Sequence, residues 1–350
     1  MRKMKRLIFQ AYLNEGVEFG YYPWSKSLFK SSEYKNADLI HLQIVHDGTL
    51  DFGAIQKVLR EKPVLWTWHD PWILTGHCIY PMTCHRFEMG CGDCPDLSRP
   101  FTVKKDLTRQ NRFEKQKLIS NSQTIHVSTD WFKDLINTNT PKPPRIETLP
   151  FGLPKYFMNE PDRKFARRKL GIGESEFVIG IRSAPEPQKN FELFKASLAF
   201  LPKNSKLTIV TIQETGLLDE FKDKFEIIEL PWTNQVSDLL TFYDALDLFI
   251  MPSQFETFGF MGVESMSRGV PVVGLSNTAL DEVCRLQTNG FVTEDNPLSL
   301  SNLLGCVTQD PALIHEKSKL SKEYVRLNFS MDIFLDKLVK VYKKTISDFG

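Results

Sequence analysis

The stretch from residue 251 to residue 273 constrains the fold of this chain more than any other part of the sequence. It follows an apolar run at residues 247–251, which is long enough for a buried strand. Residues 259–268 mix small and apolar side chains as a packed helix does, Gly269 is placed to end that helix, and residues 270–273 form a second apolar run. This order of strand, loop, helix, turn and strand predicts a parallel α/β sheet, in which ligands bind where strands end and helices begin.

Two glutamates in this stretch point to the kind of ligand. Glu256 lies in the predicted strand-to-helix loop, and Glu264 lies on the helix. The start of a helix offers N–H groups and a partial positive charge that suit a phosphate, and Gly259 would let a diphosphate approach the backbone closely. A carboxylate on the same helix can accept hydrogen bonds from both hydroxyls of a ribose. We therefore predict a nucleotide-sugar pocket; the alternative is two solvated glutamates on a surface loop and a packed helix.

The motifs around these glutamates carry a family resemblance. Glu256 and Glu264 have the spacing E-x7-E, within Pro-Ser-x-x-Glu-x-Phe-Gly and Glu-Ser-Met-x-x-Gly-x-Pro-Val-Val. The sequence in this way resembles the GT4 family of retaining glycosyltransferases, which have the α/β GT-B fold of two Rossmann-like domains facing across a cleft. The resemblance covers roughly residues 37–350. It implies transfer of a sugar from a nucleoside diphosphate sugar to an acceptor hydroxyl, with retention at the anomeric carbon.

The resemblance also implies roles for individual residues. Glu264 is expected to bind the ribose hydroxyls, and Glu256 to contact the donor sugar near the reacting centre. Backbone N–H groups at Phe258, Gly259 and Phe260 are expected to help bind the donor diphosphate.

Two cations follow an earlier predicted strand. Arg182 ends the strand predicted at residues 177–182, and Lys189 opens the next predicted helix. In the family an Arg and a Lys in this loop hold the diphosphate; here the loop is slightly longer than usual, and Asn190 replaces a Gly. The chain has no Asp-x-Asp motif, so we expect fixed cations rather than a catalytic metal to neutralise the leaving group. The alternative is that Lys189 is a solvated residue at a helix start, where a cation is unfavourable.

A histidine stands at the end of another predicted strand. His69 follows residues 63–68 and precedes Asp70. Similar family members carry His-Asp here, facing the cleft, which implies that His69 contacts the donor sugar or assists the acceptor hydroxyl. A purely structural histidine is the alternative, and Asp70 could either orient His69 or cap a helix.

Four cysteines fall close together with the spacing C-x5-C-x6-C-x2-C: Cys78, Cys84, Cys91 and Cys94. In a cytoplasmic protein such a cluster favours a structural Zn²⁺ with four thiolate ligands, which would order a segment with few apolar residues. His77 or His85 could replace one ligand. Two disulfides or reduced thiols are the alternative. A family subset with His-Asp-x-Trp carries a similar segment.

The length of 350 residues predicts two domains. We place an N-terminal Rossmann-like acceptor domain at 1–150, with a Cys-rich insert at 71–100, and a Rossmann-like donor domain at 151–328. By the resemblance, a terminal helix at 329–350 returns to the first domain. Residues 1–37 lack the family's Gly-rich loop, so the first domain could be shortened.

Composition limits the kinds of partner that this chain is expected to bind. A formal net charge of +1 gives no reason to expect nucleic-acid binding. No apolar run approaches the roughly 18 residues of a membrane span, and the apolar stretch after the basic start is too short for a signal peptide. We expect a cytoplasmic protein with at most peripheral contact with the inner face of a membrane. By family analogy its acceptor is a saccharide or lipid-linked saccharide in bacterial exopolysaccharide or lipopolysaccharide assembly. A non-catalytic nucleotide-sugar-binding regulatory protein and a sugar-phosphate epimerase of the same fold are the alternatives.

Overall fold

A computed structural model describes residues 2–202 and 206–349. The chain divides into two compact units, Met1–Pro150 together with Asp336–Gly350, and Phe151–Leu335. Each unit has its own parallel sheet with helices in the connections. Within the described residues no helix has the length and apolar character needed to cross a bilayer.

The first unit contains a four-stranded sheet in the order β1-β2-β3-β4, with every pair of neighbours parallel. Its strands are β1 (Ile40–Leu42), β2 (Val64–Thr67), β3 (Thr124–Val127) and β4 (Arg145–Thr148). Its helices up to β4 are α1 (Arg2–Asn14), α2 (Ser32–Asn36), α3 (Phe52–Glu61), α4 (Thr108–Asn121) and α5 (Asp130–Asn139).

Local chemistry sets these bounds. The Asp51 carboxylate accepts a hydrogen bond from the Ala54 N–H at 2.8 Å, so α3 begins at Phe52. Every residue of β2 and β3 is buried, as expected for strands covered on both faces. These strands therefore read as continuous apolar runs interrupted by a few polar side chains.

The segment before β1 is helical. Leu13 of α1 is buried, and the Phe9 ring packs edge-on against the Tyr22 and Phe101 rings at centroid distances of 6.2 and 6.1 Å. Met4 and Leu7 are exposed. In the described part of the chain, the sheet of this unit begins only at Ile40.

The second unit contains a six-stranded parallel sheet in the order β10-β9-β8-β5-β6-β7. Its strands are β5 (Phe177–Ser183), β6 (Leu207–Gln213), β7 (Glu226–Pro231), β8 (Leu248–Met251), β9 (Val272–Leu275) and β10 (Phe291–Thr293). Its helices are α6 (Arg163–Leu170), α7 (Phe191–Leu198), α8 (Val236–Ala245), α9 (Phe260–Ser267), α10 (Ala279–Cys284), α11 (Leu286–Asn289), α12 (Pro297–Val307) and α13 (Pro311–Asn328). The last helix, α14 (Met331–Phe349), begins in this unit, and its residues from Asp336 belong to the first.

The strand order of the second unit contains a switch point. The chain builds β5, β6 and β7 in one direction and then returns to place β8 on the other side of β5. The connections that leave the carboxyl ends of β5 and β8 consequently run away from each other and leave a crevice between them. Binding residues of this unit are expected in the loops after these two strands.

The stretch that predicted the fold folds as predicted. The strand–helix–strand order is β8, α9 and β9. Gly269 has φ +74° and its N–H donates to the Met266 carbonyl, which ends α9.

Candidate active site

The switch point brings two predicted site residues together. Lys189 lies in the loop after β5, and Glu256 lies in the loop after β8. Lys189 Nζ is 2.5 Å from Glu256 Oε1, and the two side chains are only 20% and 10% exposed. Lys189 is therefore a partly buried, paired cation, and the interpretation of a solvated lysine does not hold.

The two loops are also joined through their backbone and a shared aspartate. The Gln254 N–H donates to the Gln188 carbonyl at 2.9 Å. Asp295, which follows β10, accepts hydrogen bonds from Asn190 Nδ2 at 2.8 Å and Gln254 Nε2 at 2.7 Å. Residues that follow β5, β8 and β10 are thus hydrogen-bonded to one another, which fixes the position of the loops after β5 and β8.

Asn190 has a backbone reason to stand where the family has Gly. Its φ and ψ are +55° and +41°, in the left-handed region. Glycine adopts this region freely, and asparagine is among the few other residues that do so at low cost. The substitution therefore preserves the turn that leads from Lys189 into α7.

Arg182 is held at the end of β5 by three neighbours. Its Nε donates to Gln213 Oε1 at 2.6 Å, and Nη2 donates to Glu186 Oε1 at 3.3 Å. The guanidinium lies 5.2 Å from the centroid of the Trp232 ring. Gln213, the last residue of β6, has φ +116°, an uncommon backbone conformation of the kind found at functional sites.

The loop that leads into α9 approaches its neighbours closely. Gly259 has φ +84°, and a Cβ at this position would lie 2.3 Å from Leu280 Cδ2. Phe258 is buried, and the exposed Phe260 ring lies 4.9 Å from the Phe258 ring. The N–H groups that begin α9 lack acceptors within their own helix, as at any helix start. The predicted phosphate-binding backbone thus lies at the amino end of α9.

Glu264 is fixed by a residue that the sequence did not identify. The Tyr243 hydroxyl donates to Glu264 Oε2 at 2.7 Å. Burial raises the pKa of Glu264, and the hydrogen bond from Tyr243 opposes this shift. Burial also raises the pKa of Tyr243 well above its ordinary value, so the phenol keeps its proton and donates.

His69 belongs to the first unit, after β2. Its Nε2 lies 2.6 Å from Gln43 Oε1 and therefore donates to it, and burial lowers the pKa of the imidazole. Asp70 accepts from the Trp72 N–H and from His46 Nε2, both at 2.9 Å. The capping role predicted for Asp70 is confirmed, and its partner histidine is His46.

A hydrogen-bonded chain crosses the sheet beside His69. Thr67 Oγ1 lies between His41 Nε2 at 2.6 Å and His126 Nδ1 at 2.8 Å, and His41 Nδ1 lies 2.7 Å from the Tyr342 hydroxyl. Burial lowers the pKa of both His41 and His126 to about 4. This chain could not be predicted from the sequence, because it depends on the register of β1, β2 and β3 and on the placement of Tyr342 on α14.

The four clustered cysteines are free thiols that line one pocket of the first unit, together with His77. Burial raises the pKa of the Cys78, Cys91 and Cys94 thiols, that of Cys91 to about 11. Among the described residues, no group of three or more His, Cys, Asp or Glu side chains is already arranged so that it could hold a metal ion. His85 pairs at the surface with Glu88.

Comparison with known proteins identifies part of the chain. Residues 162–324 match the sequence profile of the family described as Glycosyl transferases group 1. The D-inositol 3-phosphate glycosyltransferase of Mycobacterium marinum is 24% identical over 324 residues, which are 88% of this chain and 65% of that protein. The chain thus spans just under two thirds of this relative's length.

Two solved structures share the fold. Alr3699/HepE of Anabaena, determined in complex with UDP and glucose, superposes with a TM-score of 0.65 at 18% identity, covering 91% of this chain and 80% of that chain. WaaG, a glycosyltransferase involved in lipopolysaccharide biosynthesis, gives a TM-score of 0.61 at 15% identity, covering 79% and 74%.

These likenesses confirm the predicted α/β GT-B fold, and the named relatives agree with the predicted enzyme class. The chain therefore has the GT-B fold, and its residues 162–324 match the glycosyl transferases group 1 family.

Proposed function

We propose that the chain is a retaining glycosyltransferase that moves a sugar from a nucleoside diphosphate sugar to an acceptor hydroxyl. The observation that carries this proposal is the pairing of Lys189 with Glu256 at the β5–β8 switch point, 2.5 Å apart. A sheet of this kind binds its ligand at that point. The match of residues 162–324 to glycosyl transferases group 1 supports it independently.

Cations suit the leaving group of this reaction. The bond from the anomeric carbon to the diphosphate oxygen breaks, and its electron pair leaves with the diphosphate. We assign Lys189 and Arg182 to that developing charge, assisted by the N–H groups of Phe258, Gly259 and Phe260 at the start of α9. An ammonium has three donors, so Lys189 can serve Glu256 and a phosphate oxygen together.

The remaining roles follow from position. Glu264, oriented by Tyr243, accepts hydrogen bonds from the ribose hydroxyls of the donor. Glu256 contacts the donor sugar near the reacting carbon. The acceptor oxygen bonds to that carbon on the face that the diphosphate leaves, and its proton passes to the departing diphosphate oxygen. No catalytic metal enters this scheme.

His69 is the residue of the first unit that we assign to the donor sugar or the acceptor. Its Nε2–H donates to Gln43 Oε1, which holds the ring in one orientation after β2. Burial lowers the pKa of the His69 imidazole, which favours the neutral form of the ring.

UDP-glucose is the first donor to test, because the Anabaena structure of the same fold was determined in complex with UDP and glucose. For the acceptor we propose a saccharide or lipid-linked saccharide of bacterial polysaccharide or lipopolysaccharide assembly. Exposed Met4 and Leu7, beside exposed Lys3 and Arg6 on α1, suit peripheral contact with an anionic membrane at the cytoplasmic face.

The experiment is a panel of nucleoside diphosphate sugars. Thermal stabilisation of the full chain identifies the donor, and release of nucleoside diphosphate with an acceptor measures transfer. Glu264→Ala and Lys189→Ala should each lower kcat/KM more than about tenfold while the melting curve stays cooperative. Lys195→Ala, which removes a half-buried lysine of α7, is the matched control.

Two results would overturn the proposal. Wild-type activity in both site variants would remove the site assignment. A donor that binds tightly but is neither transferred nor hydrolysed with any acceptor would instead identify a non-catalytic nucleotide-sugar-binding protein.

A further inference from the structure

The pocket of the four cysteines lies outside the proposed reaction. Cys78, Cys84, Cys91 and Cys94 line it with His77, in a segment of turns between β2 and α4. The four side chains face one space, which Arg99 and Thr108 line as well. The convergence of four thiols on one pocket is therefore not explained by the proposed reaction.

A buried cation next to this pocket lacks an anion. Arg112 on α4 is 5% exposed, and its Nη2 donates to the Asn139 carbonyl at 3.1 Å. Its Nε and Nη1 are buried without hydrogen-bond partners in the described residues. Arg112 lines one surface depression together with Gly90, the residue before Cys91. A buried guanidinium is costly without a compensating anion, and an anionic centre in the neighbouring pocket would supply one.

Other cations lie at the same pocket. Arg99 is among the residues that line it. Lys115, fully buried, donates to the Thr75 carbonyl at 3.2 Å, close to Cys78 in the chain, although it is already paired with Glu18. The pocket is thus surrounded by positive charge, as an anionic centre requires.

Hydrogen bonds from outside the four sulfurs hold the segment that carries them. The Thr75 hydroxyl donates to the Cys78 carbonyl at 2.5 Å. The Cys94 N–H donates to Asp106 Oδ2 at 2.7 Å, and the Gly92 N–H donates to Thr108 Oγ1 at 3.0 Å. Metal ligands are characteristically supported by such outer hydrogen bonds, which fix their orientation.

The backbone between the last two cysteines is unusual. Gly90, Cys91, Gly92 and Asp93 all have positive φ, at +91°, +62°, +97° and +46°. For Cys91 and Asp93 this conformation is strained, and it persists only where the surroundings enforce it. The turn brings Cys91 and Cys94 to the same pocket.

His77 braces the pocket from the other side. It is 1% exposed, and its Nδ1 donates to the Phe101 carbonyl at 3.0 Å. The opposite nitrogen, Nε2, lies 3.4 Å from Cys94 Sγ. The imidazole is therefore fixed with its second nitrogen against a thiol.

We propose that Cys78, Cys84, Cys91 and Cys94 bind one structural Zn²⁺, with Arg112 as an outer cation beside it. On binding, four S–H bonds break, four Zn–S bonds form and the protons pass to solvent. The thiols rotate from the pocket wall onto the ion to reach bonds of about 2.3 Å. The tetrathiolate centre is anionic, and Arg112 and Arg99 offset its charge.

The test uses the purified full chain. Elemental analysis should find about one zinc per chain, and replacement by Co²⁺ should give the intense thiolate-to-metal bands of a four-sulfur site. Cys91→Ser/Cys94→Ser should lower the zinc content at least tenfold. Cys306→Ser, at an exposed thiol of α12, is the control and should retain the metal.

A second measurement on the wild type does not depend on whether the double variant folds. Titration of the wild-type thiols with a mercurial should release the zinc in proportion to the thiols modified. Wild-type chain that holds less than a tenth of an equivalent after anaerobic incubation with Zn²⁺ would overturn the proposal. Cobalt bands that indicate fewer thiolates and change in His77→Ala would overturn the four-cysteine ligand set in favour of His77.

Discussion

Lys189 Nζ and Glu256 Oε1 lie 2.5 Å apart, although the two residues follow different strands of the sheet. The strand order of the second unit explains the contact, because β5 and β8 are neighbours despite their separation in sequence. Both side chains are largely buried, so each is the other's compensating charge. Removing one partner of such a pair leaves an uncompensated charge at a cost of about 3–5 kcal/mol.

This pair predicts coupled kinetics. Lys189→Met and Glu256→Gln should each lower kcat/KM by more than about tenfold, because each disturbs both the diphosphate contact and the sugar contact. Since the residues act together, the double variant should lose much less than the product of the two single losses. Steady-state kinetics of the four proteins give the coupling energy.

Lys195→Met supplies the matched control for this cycle. Lys195 also pairs with a glutamate, Glu220, at 2.7 Å, but these residues lie in α7 and in the connection between β6 and β7 rather than in the loops that directly follow β5 and β8. Its kinetic constants should match those of the wild type. If the loss of kcat/KM in the double variant equals the product of the losses in Lys189→Met and Glu256→Gln, the two groups act independently, contrary to the proposal.

Tyr243→Phe should change the pH dependence of nucleotide binding. The hydroxyl of Tyr243 opposes the rise that burial causes in the pKa of Glu264, so its removal should raise that pKa further. Ribose binding needs the ionised carboxylate, and affinity should therefore begin to fall at a higher pH in the variant. A lost hydrogen bond to a charged group also predicts affinity roughly tenfold weaker at neutral pH.

Calorimetric titration with UDP between pH 5 and 8 measures both effects of Tyr243→Phe. Tyr156→Phe, at a partly exposed tyrosine of the same unit, is the control and should follow the wild-type profile. If Tyr243→Phe follows that profile too, Glu264 does not titrate with nucleotide binding.

The positions of the residues that we propose for the donor site could be predicted because they stand at strand ends. Apolar runs marked β5 and β8, and the charged residues that follow such runs necessarily lie at one edge of a parallel sheet. What fixes those residues could not be predicted. Tyr243 and Gln213 come from other elements, and only the folded chain brings them to Glu264 and Arg182.

Some helices could not be predicted from the sequence, also for physical reasons. α13 begins with Asp310 as cap and Pro311 in the first turn, but only a few of its side chains are buried, so its apolar periodicity is weak. Residues 1–37 lack the Gly-rich loop of the family, so the resemblance gave no basis for predicting α1. The His41–Thr67–His126 chain depends on strand register, which no single strand reveals.

Asn190 allows a test of backbone strain at the site. Asn190→Gly and Asn190→Ala both remove the hydrogen bond to Asp295, so their difference isolates the left-handed backbone conformation. The alanine variant should be less stable than the glycine variant by about 1–2 kcal/mol. Chemical denaturation measures this difference, and equal stabilities would show that the loop rearranges to avoid the strain.

The buried histidines of the first unit predict acid sensitivity. Burial lowers the pKa of His41 and His126 to about 4, while a histidine in an unfolded chain titrates near 6.5. Between these values the unfolded chain binds more protons than the folded one, so the free energy of unfolding should fall as the pH falls from about 6.5 to about 4. Below that range both states are protonated, and these groups add nothing further.

His126→Gln tests this origin of the acid sensitivity. Each proton taken up only on unfolding contributes a slope of about 1.4 kcal/mol per pH unit, so the variant should show a flatter dependence by up to that amount. Its stability at neutral pH should also fall, because the hydrogen bonds to Thr67 and to the Leu149 carbonyl are disturbed. Denaturation curves at several pH values separate slope from offset. His315→Gln, at an exposed histidine of α13, should leave the slope unchanged, and an equally steep slope in His126→Gln would assign the acid sensitivity to other groups.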